Sequence, residues 1–141
     1  MRSFLMAMMM LLSTASAWAT EVMTAEEARN AALSGEVILV DIRTPGEWAK
    51  TGLPDVGIAM DMTEPGFAQR LLDLYNAQPG RPVAVICASG ARSTYVVTAL
   101  RERGLDRMIN VQEGMTGGLN GPGWLARNLP TRSPQETPAK K

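Results

Sequence analysis

The 141-residue chain carries 14 Lys and Arg against 14 Asp and Glu, one Cys and no His. Without His there is no Ser-His-Asp triad, no Cys-His dyad and no imidazole metal ligand or proton relay, and a single Cys excludes an intrachain disulfide or a Cys-clustered zinc or iron–sulfur site. The zero net charge argues against general electrostatic attraction to nucleic acid or anionic lipid.

Residues 1–19 read as an export signal. Met1-Arg2-Ser3 is a short cationic start, Phe4 to Leu12 is unbroken apolar sequence, and Ala17-Trp18-Ala19 is a small-x-small cleavage site. The apolar stretch is too short for a membrane-spanning helix, which needs roughly 20 residues. The expectation is a periplasmic or secreted protein beginning at Thr20, or at Trp18 if cleavage follows Ala15-Ser16-Ala17.

Residues 20–130 read as one domain in which buried strands alternate with helices. Thr24-Ala25-Glu26-Glu27 is a capping box opening a helix that stops near Gly35. Val37 to Ile42 is nearly continuous in apolar character, as in a strand covered on both faces of a parallel sheet. Thr44-Pro45-Gly46-Glu47 caps a short helix ending by Gly52, and Val56 to Met60 reads as a further strand. Phe67, Leu71, Leu74 and Tyr75 form a helical stripe. Pro82 to Cys87 reads as the next buried strand, Ala91 to Arg103 as a helix stopped by Gly104, and Met108 to Val111 as a strand. Gly-rich turns then bracket a short helix at Trp124 to Arg127. From Thr131 to Lys141 the Pro, Ser, Thr and Lys content reads as a disordered tail. The repeated β-α order predicts one α/β domain with a parallel sheet and right-handed crossovers.

In open α/β sheets, sites lie outside the carboxyl ends of the strands. The only Cys falls there, in Cys87-Ala88-Ser89-Gly90-Ala91-Arg92-Ser93: a strand end, small residues and a helix start. A lone Cys is ordinarily a small buried hydrophobe, but this context makes it a nucleophile. The small residues let the backbone curl so that N–H groups face the sulfur, and the helix adds its positive end, so negative charge on sulfur is favoured. Arg92 supplies a cation beside it.

This loop resembles the active-site loop of the rhodanese sulfurtransferase family in its Cys-x-x-Gly-x-Arg-Ser form. Two further stretches carry the likeness: Asp41-Ile42-Arg43-Thr44-Pro45-Gly46-Glu47-Trp48 is similar to the family's Asp-x-Arg-x-x-x-Glu-aromatic turn, and Val111-Gln112-Glu113-Gly114, Gly123-Trp124 and Leu129-Pro130 to its C-terminal signature. Gly52-Leu53-Pro54 replaces the common Gly-His-Ile, and Glu113-Gly114-Met115 the common Glu-Gly-Gly. The resemblance implies a rhodanese-like fold, a single five-stranded parallel sheet flanked by helices, with a first strand near Glu21 to Met23. It also implies that Cys87 carries a sulfane sulfur, as a persulfide, from a donor such as thiosulfate to cyanide or a thiol. The amides of Ala88, Ser89, Gly90, Ala91 and Arg92 would cradle that sulfur, and no cofactor or metal is implied.

The roles of neighbouring residues stay open in sequence. Arg92 is either a donor-binding group or a helix-start Arg paired with a surface carboxylate. Asp41 and Arg43 read as a structural ion pair, and Trp48 and Trp124 as packing residues or as walls of the mouth. A Cys-dependent phosphatase needs five residues between Cys and Arg, and this loop has four. A thiol redox protein lacks its resolving Cys. A non-catalytic sulfur carrier or partner-binding module remains the alternative to an enzyme.

Overall fold

The structure, a computed structural model, describes residues 20–140; the export segment expected at 1–19 lies outside them. The elements in chain order are β1 (Val22–Met23), α1 (Ala25–Leu33), β2 (Ile38–Asp41), α2 (Pro45–Thr51), β3 (Leu53–Pro54), β4 (Ile58–Ala59), α3 (Phe67–Ala77), β5 (Val83–Ile86), α4 (Ala91–Arg101), β6 (Met108–Val111), α5 (Gly123–Ala126) and β7 (Thr131–Arg132). Five strands form one sheet in the order β1-β6-β5-β2-β4, every pairing parallel. This is the expected α/β architecture, including the short first strand.

Alternation along each strand sends successive side chains to opposite faces. Leu39, Ala84, Ile86, Ile109 and Val111 pack with Ala25, Ala28 and Ala31 of α1 and with Trp124 of α5. Ile38, Val40, Val83, Val85 and Met108 pack on the other face with Leu71 of α3 and with Val96 and Val97 of α4. A strand covered twice needs apolar residues at every position, which is why β5 reads Val-Ala-Val-Ile and is fully buried. Both predicted capping boxes form: Thr24 with Glu27, and Thr44 with Glu47. The helix expected to run to Arg103 gives way after Arg101 to turns that reach Gly104.

The disordered tail expected at 131–141 is corrected over its described part. Thr131–Arg132 forms β7, antiparallel to β3. Arg132 donates to the Gly57 carbonyl, and the Ala139 N–H donates to the Asp55 carbonyl at 2.6 Å. Trp124 Nε1 donates to the Pro130 carbonyl at 3.0 Å and anchors the arm's root. The composition of this segment reflects its inability to build a core of its own, whereas its backbone partners lie far back in the chain.

No helix among the described residues is long and apolar enough to cross a membrane. Likewise, no described cluster of three or more His, Cys, Asp or Glu side chains is placed to hold a metal ion.

Candidate active site

The three chemically distinctive loops all leave carboxyl ends of adjacent central strands. Asp41 ends β2, Cys87 follows β5 directly, and Glu113 lies two residues beyond β6. β5 is pinned between β2 and β6, so Cys87 emerges from the most constrained part of the sheet. Three small residues then turn the chain into α4.

Gly90, at φ +95°, makes that turn possible. Its N–H donates to Cys87 Sγ at 3.2 Å, and the Ser93 N–H donates to the same sulfur at 3.5 Å. Ser93 Oγ lies 3.5 Å from Sγ and donates to the Gly90 carbonyl at 3.1 Å. Cys87 itself is only 1% exposed. The loop is braced from outside by the turn after β6. The Met115 N–H donates to the Cys87 carbonyl at 2.9 Å, and the Thr116 N–H and hydroxyl donate to the Ala88 carbonyl at 2.8 and 3.0 Å.

Of the loop amides expected to face sulfur, Gly90's reaches Sγ. Among the described residues, those of Ala88, Ser89, Ala91 and Arg92 make no hydrogen bond to it. Ser93 was not singled out as a site residue, yet supplies the second amide and a hydroxyl. Its place in the first turn of the helix after the loop is the signal that marks it, because first-turn N–H groups are free to donate backwards.

Arg92 is held by Glu47 in a two-pronged ion pair, with Nη2 to Oε1 at 2.6 Å and Nη1 to Oε2 at 2.9 Å. Glu47 also accepts from the Thr44 N–H at 3.0 Å and hydroxyl at 3.1 Å, so it ties the Cys loop's helix to the start of α2. This is the carboxylate pairing left open in the sequence, and it leaves three guanidinium N–H groups uncommitted to Glu47. Asp41 and Arg43 form the expected structural pair, Nη2 to Oδ2 at 2.7 Å, both fully buried. Arg43 also donates to Thr51 Oγ1 at 2.8 Å and the Gly52 carbonyl at 2.9 Å, clamping the end of α2. Trp48 and Trp124 are buried packing residues.

Glu113 had no assigned role in the sequence beyond its motif. Its buried carboxylate accepts from the Ala25 N–H at 2.6 Å, the Gly123 N–H at 3.3 Å, and Arg127 Nε and Nη2 at 2.7 and 3.1 Å. Burial pushes its pKa up, but the Arg127 hydrogen bonds and the two amides together outweigh this and leave it below the usual carboxylate range.

The Arg92 hydrogen bonds, against an opposing desolvation and with help from Thr44, lower the Glu47 carboxyl to about 2. A depressed carboxylate pKa stabilises the fold above its unfolded value of about 4.3, and that stability is lost as pH falls through the folded value. Both side chains are about one-third exposed, so screening reduces the pair to about 1 kcal/mol. Glu47→Gln keeps the helix cap but removes the charge. It is expected to unfold at lower urea than the wild type at pH 7, with the difference closing between about pH 5 and pH 2. A difference that stays constant on acidification would show that the charge contributes nothing.

In class, this is an α/β protein with a five-stranded parallel sheet and one thiol held in the loop after its central strand. The chain belongs to the rhodanese family: the rhodanese-like domain matches residues 24–120. It is 31% identical over 100 residues to a sulfurtransferase of Allochromatium vinosum, a match covering 71% of this chain and 82% of that protein. Among solved structures, Rv0390 from M. tuberculosis superposes with a TM-score of 0.63 at 27% identity, covering 79% of this chain and 96% of that one. The homodimeric polysulfide-sulfur transferase of Wolinella succinogenes superposes at 0.62 with 27% identity, covering 82% and 80%. The family assignment makes the chain a rhodanese-like member of a sulfurtransferase family.

Proposed function

We propose that the protein is an exported enzyme that transfers sulfane sulfur through a persulfide on Cys87. The observation that carries this reading is the sulfur's setting: two amides donate to Sγ at the N-terminus of α4, in a chain that holds no second Cys. Such a thiol has two N–H donors aimed at it and no disulfide to form within its own chain.

With thiosulfate, the Cys87 thiolate attacks the outer sulfur. A Cys87 S–S bond forms, the donor's S–S bond breaks, and sulfite leaves with the bonding electron pair. The charged persulfide then gives its outer sulfur to cyanide, releasing thiocyanate and restoring the thiolate, or to an acceptor thiol. The Arg92 N–H groups not engaged by Glu47 are available to the donor's oxygens. The name of the Wolinella relative makes polysulfide a second donor to test.

One observation favours the carrier alternative: at 1% exposure, the thiol is reached only when the loop yields or a partner opens it. Protein recovered from outside the cytoplasmic membrane should begin at Thr20 or Trp18. That same protein, incubated with thiosulfate, should gain one sulfur mass of about 32 Da that cyanide removes. Steady ping-pong turnover supports the enzyme, and loading that stalls with small acceptors supports the carrier. No mass gain from thiosulfate or polysulfide defeats both, and a cytosolic protein with its N-terminus intact defeats export.

A further inference from the structure

β6 is buried at all four positions, and three of them are Met108, Ile109 and Val111. The fourth is Asn110. It shares the face of Met108, looking towards α4, and its own N–H is used by the Glu21 carbonyl across the sheet. An amide side chain there is costly, because Oδ1 is buried without a partner. What the residue does is donate through Nδ2 to Thr94 Oγ1 at 2.9 Å.

The direction of this contact follows from the next one. Thr94 Oγ1 lies 2.6 Å from the Gly90 carbonyl oxygen. The carbonyl has no hydrogen to give, so the Thr94 hydroxyl must donate to it. The hydroxyl then has only a lone pair left for residue 110, which therefore needs a donor at that point. Asn supplies one, whereas a carboxylate would draw the hydroxyl hydrogen away from Gly90. The Gly90 carbonyl also receives the Thr94 N–H at 3.0 Å and Ser93 Oγ at 3.1 Å, while the N–H of Gly90 is the one that meets Cys87 Sγ at 3.2 Å.

We propose that Asn110 and Thr94 are positioning residues that act as one relay, Asn110 to Thr94 to Gly90, holding the Gly90 amide on the reactive sulfur. The kinetic consequence rests on the sulfur-transfer reading, but the geometric one does not. The central strand thereby supports the far side of the Cys loop, opposite the support it receives from Met115 and Thr116. An apolar residue at 110 would remove the orphan oxygen but leave the Thr94 hydroxyl free to turn away from Gly90.

The test uses the whole protein and three variants. Thr94→Val removes the hydroxyl at constant shape, Asn110→Leu removes both the donor and the orphan oxygen, and Thr94→Ser keeps the hydroxyl. Hydrogen exchange of the Gly90 amide, read without any sulfur compound, should quicken about fivefold in Thr94→Val and in Asn110→Leu, with Val85 and Ile86 unchanged. Thr94→Ser should restore the wild-type rate. Sulfur loading from thiosulfate should slow by a similar factor at saturation with little change in KM, although Asn110→Leu is expected to be no less stable than the wild type. The double variant should be no worse than Thr94→Val alone, as for two parts of one unit. Wild-type Gly90 exchange in both single variants, or additive effects in the double variant, would overturn the relay. Failure of the wild type to load sulfur, with the exchange pattern as expected, would overturn the sulfur-transfer reading and leave the relay standing.

Discussion

Cys87→Ser is expected to leave no measurable sulfur transfer in a protein that still folds. The substitution replaces one buried atom by a slightly smaller one, and the Gly90 and Ser93 amides remain to hydrogen-bond the hydroxyl. A serine hydroxyl with no His in the chain to deprotonate it is not a sulfur nucleophile at neutral pH. No other Cys can take over the role. Removing a nucleophile typically costs several orders of magnitude, so turnover should fall by at least about 1000-fold and the sulfur adduct should vanish from the mass spectrum. Residual transfer by a folded serine variant would show that Cys87 is not the carrier.

Gly90→Ala should be the most damaging single methyl group in the molecule. It combines a positive φ with an added Cβ that would come nearer to a neighbouring atom than at any other described glycine. At φ +95° an L-residue is strained by about 1–2 kcal/mol. The added Cβ also runs into the Gln112 carbonyl oxygen, which belongs to rigid backbone just beyond β6. Forcing such a contact costs a further 1–3 kcal/mol or so, giving a loss of about 2–5 kcal/mol in urea unfolding and a Cys loop displaced from its amides. Gly35 provides the control, having a similar φ of +78° with open space around its Cβ position. Gly35→Ala should show only the conformational part. Equal losses at both positions would mean that the contact with Gln112 relaxes without cost.

Much of this was legible because the signals are local. An apolar run such as Val83–Ile86 reports a doubly covered strand, and Thr24 with Glu27 reports a helix start, within four residues each. The Cys87 loop was legible for the same reason: strand end, small residues and helix start are contiguous. What escaped are contacts between distant segments. Arg92 meets Glu47 across 45 residues, and Glu113 reaches Ala25 across 88. The β3–β7 pairing joins Leu53 to Arg132, so a segment with poor intrinsic tendencies acquires order from a partner that periodicity cannot reveal. Asn110 looked like an ordinary strand residue because nothing in Met-Ile-Asn-Val reports a hydroxyl on the helix overhead.

The bracing of the Cys87 and Ala88 carbonyls by Met115 and Thr116 has a kinetic side. Those two residues follow the last central strand, and parallel neighbours joined by helices make slow, long-range closures during folding. The thiol is therefore synthesised before the two residues that brace its loop. A chain caught midway exposes a naked sulfhydryl with no loop around it, open to mixed disulfides with whatever thiols surround it. The speed with which residues 108–116 dock then governs the chemical survival of the sulfur, quite apart from any effect on the activity of the finished protein.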